Sequence, residues 1–131
     1  MIDNDIPASK VPSVVKNAIA KEFTNPLDVE WVKKKKNYEV DFDMEEVDYS
    51  ARFTPDGQLL LYKLDIRVTE LPKAITGKVA EEFPDRTLDD AEKVINGTST
   101  YYQVELDGQP RNQRAIYTSD GQKDSSLNYW D

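Results

Sequence analysis

The sequence predicts an α+β protein built as a tandem repeat, in which each copy is a helix followed by four antiparallel strands. Three features predict it: matching segments in the two halves, an apolar stripe with helical spacing at the start of each half, and alternating apolar and polar residues after that stripe. A half of about 60 residues buries only roughly 60% of its unfolded surface and is marginal alone. We therefore expect one compact domain with one continuous antiparallel sheet and both helices on one face.

The repeat divides the 131 residues into a leader and two copies. The leader covers residues 1–10, the first copy residues 11–68 and the second copy residues 69–131. Each copy opens with a hydrophobic-Pro pair and later carries a Tyr-x-Val strand and an Asp-Gly-Gln turn. The matching segments are Val11-Pro12 with Leu71-Pro72, Phe23 with Phe83, Tyr38-Glu39-Val40 with Tyr102-Gln103-Val104, and Asp56-Gly57-Gln58 with Asp120-Gly121-Gln122.

An amphipathic helix is predicted at the start of each copy, because apolar residues recur every four positions. The first helix ends at Asn25-Pro26 and the second at Pro84, since a proline disfavours helical backbone in the residue before it. Gly77 lies in the middle of the second helix, where it predicts a point of close packing. The two stripes are Val11, Val15, Ile19 and Phe23 in the first copy, and Leu71, Ile75, Val79 and Phe83 in the second.

The strands of the first copy specify their own pairing. Apolar and polar residues alternate over residues 38–44 and 47–53, and a hairpin between them puts the apolar residues of both on one face. Asp56-Gly57 is a strong turn signal that brings a third strand back beside them. An earlier strand, Val29 to Lys34, pairs through a Lys35-Lys36 turn. The expected cross-strand neighbours are Tyr38–Phe53, Glu39–Arg52, Val40–Ala51, Phe42–Tyr49, Asp43–Asp48, Phe53–Leu60, Ala51–Tyr62, Tyr49–Leu64, Val29–Phe42 and Trp31–Val40.

The strands of the second copy are predicted by the same alternation. The first runs from Asp90 to Ile95 and turns at Asn96-Gly97. The second contains Tyr102 and the third contains Tyr117. A fourth strand is expected near Leu127 to Trp130, after a polar segment.

The composition excludes several classes of function. A net charge of -8 disfavours nucleic acid and anionic membrane surfaces, because both need clustered Lys and Arg. The chain contains no His and no Cys, so Ser-His-Asp, Cys-His and thiolate metal sites cannot be built. No apolar run approaches the roughly 20 residues of a membrane-spanning helix. We expect no enzyme activity, no cofactor and no membrane insertion.

The repeated motifs resemble the PepSY-like domain family, over roughly residues 9–131. The resemblance implies small tandem-repeat proteins exported to the periplasm or cell surface of Bacteroides-type bacteria, with a fold similar to beta-lactamase inhibitory protein. It implies no catalytic residues, and it hints at binding or inhibition of a protein. The marks are Val11-Pro12, Phe23-Thr24-Asn25-Pro26, Tyr38-Glu39-Val40 and Phe53-Thr54-Pro55-Asp56-Gly57, then Leu71-Pro72, Phe83-Pro84, Tyr102-Gln103-Val104 and Tyr117-Thr118-Ser119-Asp120-Gly121.

An acidic stretch over residues 41–48 is the one candidate for a metal site. The register above puts Asp43 opposite Asp48, and Asp65 faces Asp48 from the next strand. Hard cations such as calcium bind clustered carboxylate oxygens, so these three residues are a candidate ligand set. The alternative is a solvated outer face whose charge Lys63 and Arg52 balance.

The second parity class of the strands is hydrophilic, and no helix is left in the sequence to cover it. We expect this face to be exposed and to dock a protein, with Tyr101, Arg52 and Leu61 as the partner-binding candidates. The function expected is a non-catalytic exported binding module, in the periplasm or at the cell surface. The alternative is a small-ligand or cation (calcium) binding protein. The sequence begins at Met1 without a signal peptide, which fits a cytosolic start or removal of the signal.

Overall fold

The computed structural model describes residues 5–131, which form two helices and eight strands in one antiparallel sheet, with the strands ordered β1 to β8. The predicted α+β class and continuous antiparallel sheet are confirmed. The helices are α1, Ser13–Glu22, and α2, Lys73–Glu82. The strands are β1 Asp5–Ile6, β2 Leu27–Lys34, β3 Asn37–Met44, β4 Val47–Phe53, β5 Leu59–Ile66, β6 Thr87–Asn96, β7 Ser99–Asp107 and β8 Gln113–Thr118. Short 3-10 turns at Ala8–Lys10 and Val68–Glu70 precede the two helices.

The chain divides into two compact units, unit 1 ending at Leu64 and unit 2 beginning at Asp65. In unit 1, α1 packs on the inward face of the strands, and Phe23 lies at the centre of an aromatic cluster. Its ring centroid is 4.8 Å from that of Phe42 and 5.3 Å from that of Tyr62. The buried core of unit 1 consists of Val11, Val15, Ala18, Ile19, Phe23, Trp31, Val40, Phe42, Ala51 and Phe53.

The predicted pairing of β3 with β4 is confirmed at each expected pair, from Tyr38 opposite Phe53 to Asp43 opposite Asp48. Two other expectations are wrong, each because of a β-bulge. A register shift between Arg52 and Phe53 pairs Phe53 with Leu59 and leaves Leu60 exposed. An extra residue on one strand moves its neighbours to the other face, and alternation alone does not signal it.

The second bulge lies near the start of β2, between Leu27 and Glu30. Asp28 has a positive φ of 52° within it. Val29, expected opposite Phe42 in the core, is instead 39% exposed. Beyond the bulge the prediction holds, because Trp31 pairs with Val40 and is buried.

Strand β1 comes from the predicted leader, residues 1–10, the first four of which lie outside the described residues. Asp5 pairs with Val32 and Ile6 with Trp31. Ile6 also packs against the core of unit 1. Part of the predicted leader is therefore a strand of the sheet.

In unit 2, α2 packs on β6, β7 and β8. The helix stripe recurs as predicted, although Phe83 is only partly buried where Phe23 is fully buried. The buried core of unit 2 consists of Leu71, Ile75, Val79, Ala91, Tyr102, Val104, Leu106, Ala115 and Tyr117.

The prediction of a fourth strand near Leu127 to Trp130 is wrong. Residues 119–131 form no strand, and one isolated bridge joins Lys123 to Tyr117 of β8. The carboxylate of Asp124 accepts hydrogen bonds from the Ser126 backbone N–H at 2.9 Å and from the Ser126 hydroxyl at 2.5 Å. Such a local Asx turn competes with strand pairing. The sequence predicts four strands in each copy. The structure has three after α2, and β1, from the leader, brings the total to eight.

The same turn follows β4 in unit 1, where it leads into β5, and β8 in unit 2, where it leads into the C-terminal segment. In unit 1 the Gly57 N–H donates to the Thr54 carbonyl at 2.9 Å, and in unit 2 the Gly121 N–H donates to the Thr118 carbonyl at 3.0 Å. Both glycines have a positive φ, 90° and 87°. Each turn lies against its own helix: a Cβ on Gly57 would be 3.0 Å from the Val14 carbonyl oxygen, and one on Gly121 only 2.6 Å from that of Ala74.

Replacing these glycines by alanine tests the turn–helix contact. Gly97 also has a positive φ, but a Cβ there would meet no atom within 4 Å, so Gly97→Ala should cost about 1–2 kcal/mol from backbone conformation alone. Gly121→Ala should cost about 1–3 kcal/mol more, because the methyl group is forced onto the helix carbonyl. Gly57→Ala should fall between them. Urea unfolding of the three variants measures the differences, and equal losses would contradict the contact.

The sequence predicts a point of close packing at Gly77, and this prediction is wrong. A Cβ at Gly77 would meet no atom within 4 Å. Gly77→Ala should therefore stabilise the protein by about 0.5–1 kcal/mol, because glycine in a helix interior loses more backbone entropy than alanine. Thermal unfolding by circular dichroism measures this. Ala20→Gly, at an exposed position of α1, is the reciprocal control and should lower stability by a similar amount.

Candidate functional site

The outer face of unit 1 is the side of β3, β4 and β5 opposite α1. Its side chains form two cross-strand rows. The first row is Glu39, Arg52 and Leu61, and the second is Asp41, Ser50 and Lys63. The alternation of strand side chains places them here, because their neighbours Val40, Ala51 and Tyr62 point to α1.

Polar contacts join two side chains in each row. Arg52 Nε donates to Glu39 Oε1 at 2.8 Å, and the Ser50 hydroxyl donates to Asp41 Oδ1 at 2.7 Å. Glu39 and Lys63 are each only 5% exposed, whereas the Arg52 side chain is 32% exposed. The face therefore carries fixed charges, with Arg52 as the most accessible member of the ion pair.

Tyr101, the third partner-binding candidate, lies in unit 2 and is buried, with 9% exposure. Sequence parity correctly separates it from Tyr102, which packs against α2. The expectation that Tyr101 is exposed is therefore wrong. Tyr101 lies beside Val94 and Thr118 on the face of unit 2 opposite α2.

The C-terminal tail, residues 123–131, packs on this face at Gln103 and Arg114. Gln103, on β7, is fully buried and binds the tail through both ends of its side-chain amide. Its Nε2 donates to the Trp130 carbonyl at 2.5 Å, and the Trp130 N–H donates to its Oε1 at 3.0 Å. The same Nε2 donates to Glu92 Oε1 at 2.6 Å. Trp130 is 4% exposed, so the tail ends in a buried aromatic anchor.

The alternation of strand residues places Gln103 on the hydrophilic side that the sequence predicts to be exposed, and it gives no sign of this contact. The signal that could have found it is the aromatic pair Tyr129-Trp130 at the end of a polar segment, since a large aromatic side chain usually finds a surface to cover. A glutamine in a strand offers such a segment one donor and one acceptor.

Across residues 5–131, no group of three or more acidic side chains is arranged to hold a metal ion. A cation site at Asp43, Asp48 and Asp65 stays a prediction. Asp43 does lie opposite Asp48. A hydrogen bond with Asp48, partial desolvation and repulsion from Asp48 and Asp28 raise the pKa of Asp43 above its ordinary value of 3.8.

Two surface cavities lie away from the outer face of unit 1. In unit 1, an open groove of about 540 Å³ runs between α1 and the Gly57 turn, with Val14, Lys21 and Glu22 among its lining residues. In unit 2, a cavity of about 250 Å³ lies between β8 and the C-terminal tail, lined in part by Ile116 and Tyr129.

Replacing Gln103 by leucine should release the tail. The change removes the two hydrogen bonds that Gln103 makes with the Trp130 backbone, and the loss of a buried polar partner costs about 1–3 kcal/mol. We expect Gln103→Leu to lower the free energy of unfolding by that amount and to speed hydrogen exchange at the Trp130 N–H. Gln113→Leu, at an exposed glutamine of β8, should change neither. Unchanged exchange at Trp130 in Gln103→Leu would contradict this account of the tail.

The Asp43–Asp48 pair makes stability depend on pH. The pKa of Asp43 is raised in the folded state, so the folded chain binds the carboxyl proton of Asp43 more tightly than the unfolded chain does. Protonated Asp43 therefore stabilises the fold below pH 3.8, and this stability is lost as the pH rises through the folded-state pKa. Asp48→Asn should lower the pKa of Asp43 and raise the melting temperature near neutral pH, with a smaller effect in acid. Carboxyl-carbon NMR titration and thermal unfolding measure the two. Glu81→Gln, on the exposed side of α2, is the charge-matched control; an equal gain from it would point to net charge alone.

None of the helices within residues 5–131 is long and apolar enough to cross a membrane. No curated protein matches the sequence significantly.

Solved structures share the fold. One described as "putative periplasmic proteins" from Bacteroides eggerthii is 24% identical, with a TM-score of 0.79, and the match covers 86% of this chain and 85% of that one. A DUF2874 family protein from Bacteroides uniformis is 20% identical, with a TM-score of 0.79 and the same coverage. A BLIP-like protein from Bacteroides fragilis is 17% identical, with a TM-score of 0.75, over 90% of this chain and 84% of that one.

The family model described as "Putative beta-lactamase-inhibitor-like, PepSY-like" matches residues 1–61 and 36–122. The two matched segments overlap in the strands of unit 1 and together span most of the chain. The chain therefore belongs to the PepSY-like family.

Proposed function

We propose that this chain is a non-catalytic, exported binding module that docks a protein on the outer face of unit 1. The observation that carries the proposal is the ordered pair of polar rows on that face. The Arg52–Glu39 ion pair at 2.8 Å and the Ser50–Asp41 hydrogen bond at 2.7 Å hold their side chains on fixed strands. Little side-chain entropy is then left to lose when a partner binds.

The residue types on this face suit a protein partner. Arg is enriched among the side chains that dominate interface energies, and Arg52 is the accessible member of its ion pair. Leu61 lies beside it in the same row and supplies an apolar contact. The net charge of -8 favours a partner with a basic surface, because complementary charges steer association.

Family and fold support the class of function. The family is described as beta-lactamase-inhibitor-like, and a BLIP-like protein shares the fold. Inhibition of a protein by docking is therefore the form of binding that we favour. Location in the periplasm or at the cell surface is proposed on the description of the Bacteroides eggerthii structure.

The groove between α1 and the Gly57 turn favours a second candidate, small-ligand binding. Its volume of about 540 Å³ lies within the roughly 300–1,000 Å³ of ligand pockets. Its lining is less suitable, because Lys21, Glu22 and Asp56 are charged and only Val14 and Ala18 are apolar. Ligand pockets are lined mainly by apolar and aromatic side chains.

Photo-crosslinking locates the partner surface. A photoreactive side chain at Leu61 samples the outer face of unit 1, and one at Asn17 samples the groove. In an envelope fraction of the organism that expresses the chain, we expect one dominant protein adduct from position 61 and none from position 17. An adduct from position 17 alone would contradict docking on the outer face.

Two variants then test the contacts with that partner. Arg52→Lys keeps a cation beside Glu39 but removes the planar guanidinium, and Leu61→Ala removes the apolar contact. Each should weaken binding by about 1 kcal/mol or more, roughly fivefold, as measured by calorimetry. Lys21→Ala, in the groove, is the matched control and should leave affinity unchanged. The reverse pattern would favour the groove.

A further inference from the structure

The C-terminal tail of unit 2 is bound in the way that a receptor binds an extended peptide. Gln103 contacts the backbone of Trp130 with one donor and one acceptor, at 2.5 Å and 3.0 Å. These are the two groups that a neighbouring strand would offer, here supplied by a single buried side chain. Recognition of backbone groups does not depend on the identity of the bound residue.

Arg114 supplies selectivity at the end of the tail. Its guanidinium carbon lies 4.5 Å from the centre of the Tyr129 ring, and its Nη1 lies 2.6 Å from Asp131 Oδ1. One side chain therefore contacts an aromatic ring and a carboxylate two residues apart. Cation–π attraction and ion pairing together favour an aromatic side chain followed closely by an acidic one.

The tail is held at its start as well as at its end, since Lys123 Nζ lies 3.8 Å from Glu82 Oε2 and 5.3 Å from the centre of the Phe83 ring. Nearer its start, the Asp124 N–H donates to the Ile116 carbonyl at 2.8 Å, and Lys123 forms the isolated bridge with Tyr117. Between these points Ser125 and Ser126 are exposed, and a cavity of about 250 Å³ remains beneath the segment. A segment held by few contacts can open locally without unfolding of the unit.

We propose that the tail-binding site of unit 2, formed by Gln103 and Arg114, also binds an extended segment of the partner protein. That segment carries an aromatic pair followed by an acidic residue, and it takes the place of the chain's own tail. This deepens the proposed function and rests on it, since the ligand is again a protein. The backbone contacts of Gln103 select an extended segment, and Arg114 selects its aromatic and acidic side chains. The tail competes from within the chain at an effective concentration on the order of millimolar, so exchange is weak until the tail is displaced or cut.

The test converts the tail into a separable ligand in the full chain. A protease site is inserted between Ser125 and Ser126, and the folded protein is cut there. A fluorescent peptide, Leu-Asn-Tyr-Trp-Asp, is the probe. We expect it to bind the cut protein saturably, and to bind the uncut protein more weakly by roughly tenfold or more, because the tethered tail competes.

Three comparisons decide the outcome. A peptide of the same composition in scrambled order should bind at least about tenfold more weakly, and Gln103→Leu in the cut protein should weaken binding by a similar factor. Arg114→Gln should weaken the acidic peptide more than one ending in Asn, because only the acidic peptide loses the ion pair as well as the cation–π contact with its Tyr. No binding to the cut protein, or equal binding to cut Gln103→Leu, would overturn the proposal. Dimers of the uncut chain formed by exchange of tails would also overturn it, by making a second copy the occupant.

Crosslinking from position 61 is independent of this experiment. If the peptide does not bind but position 61 gives its adduct, the tail-binding site of unit 2 is excluded and the outer face of unit 1 remains as the docking surface. If the peptide binds but position 61 gives no adduct, the outer face of unit 1 is excluded and the tail-binding site remains.

Discussion

Each unit has one helix, and one helix can cover only one face of its strands. Strand side chains alternate, so every residue buried under α1 or α2 has a neighbour pointing the other way. The molecule must make that second face compatible with water or cover it by other means. Unit 1 uses polar side chains tied together by Glu39–Arg52 and Asp41–Ser50 contacts. Unit 2 uses the C-terminal tail, with Trp130 held by Gln103.

The two solutions give the units different properties although both units carry the same motifs. The polar face of unit 1 is a fixed set of charges and suits docking of a complementary surface. The outer face of unit 2 contains buried Val94, Tyr101 and Ile116 beside the polar pair Gln103 and Glu92, so it mixes apolar and polar side chains where the sequence suggested a polar platform. The candidate binding face of unit 1 and the tail-binding site of unit 2 thus have the same origin, because neither unit has a second helix to cover the other face of its strands.

Much of the fold could be predicted from the sequence because strong local signals agreed with each other. In unit 1, the alternation over β3 and β4 matched in only one register, and the Asp56-Gly57 turn gave the next strand its direction. The bulges near Asp28 and Phe53 could not be predicted, since each inserts a residue without a distinctive side chain. The tail was missed because its strongest bonds come from a side-chain amide and not from a strand ladder. For the site, Arg52 and Leu61 were placed on the expected face, whereas Tyr101 was not exposed.

The two tryptophans of the chain fall one in each unit, Trp31 in the core of unit 1 and Trp130 at the end of the tail of unit 2. Each unit therefore carries its own intrinsic fluorophore, and a Trp→Phe change at one leaves the emission of the other. Buried indoles emit at shorter wavelength than hydrated ones, so the remaining signal distinguishes release of the tail from melting of the core. A chain of this kind reports on its halves separately, without an added label.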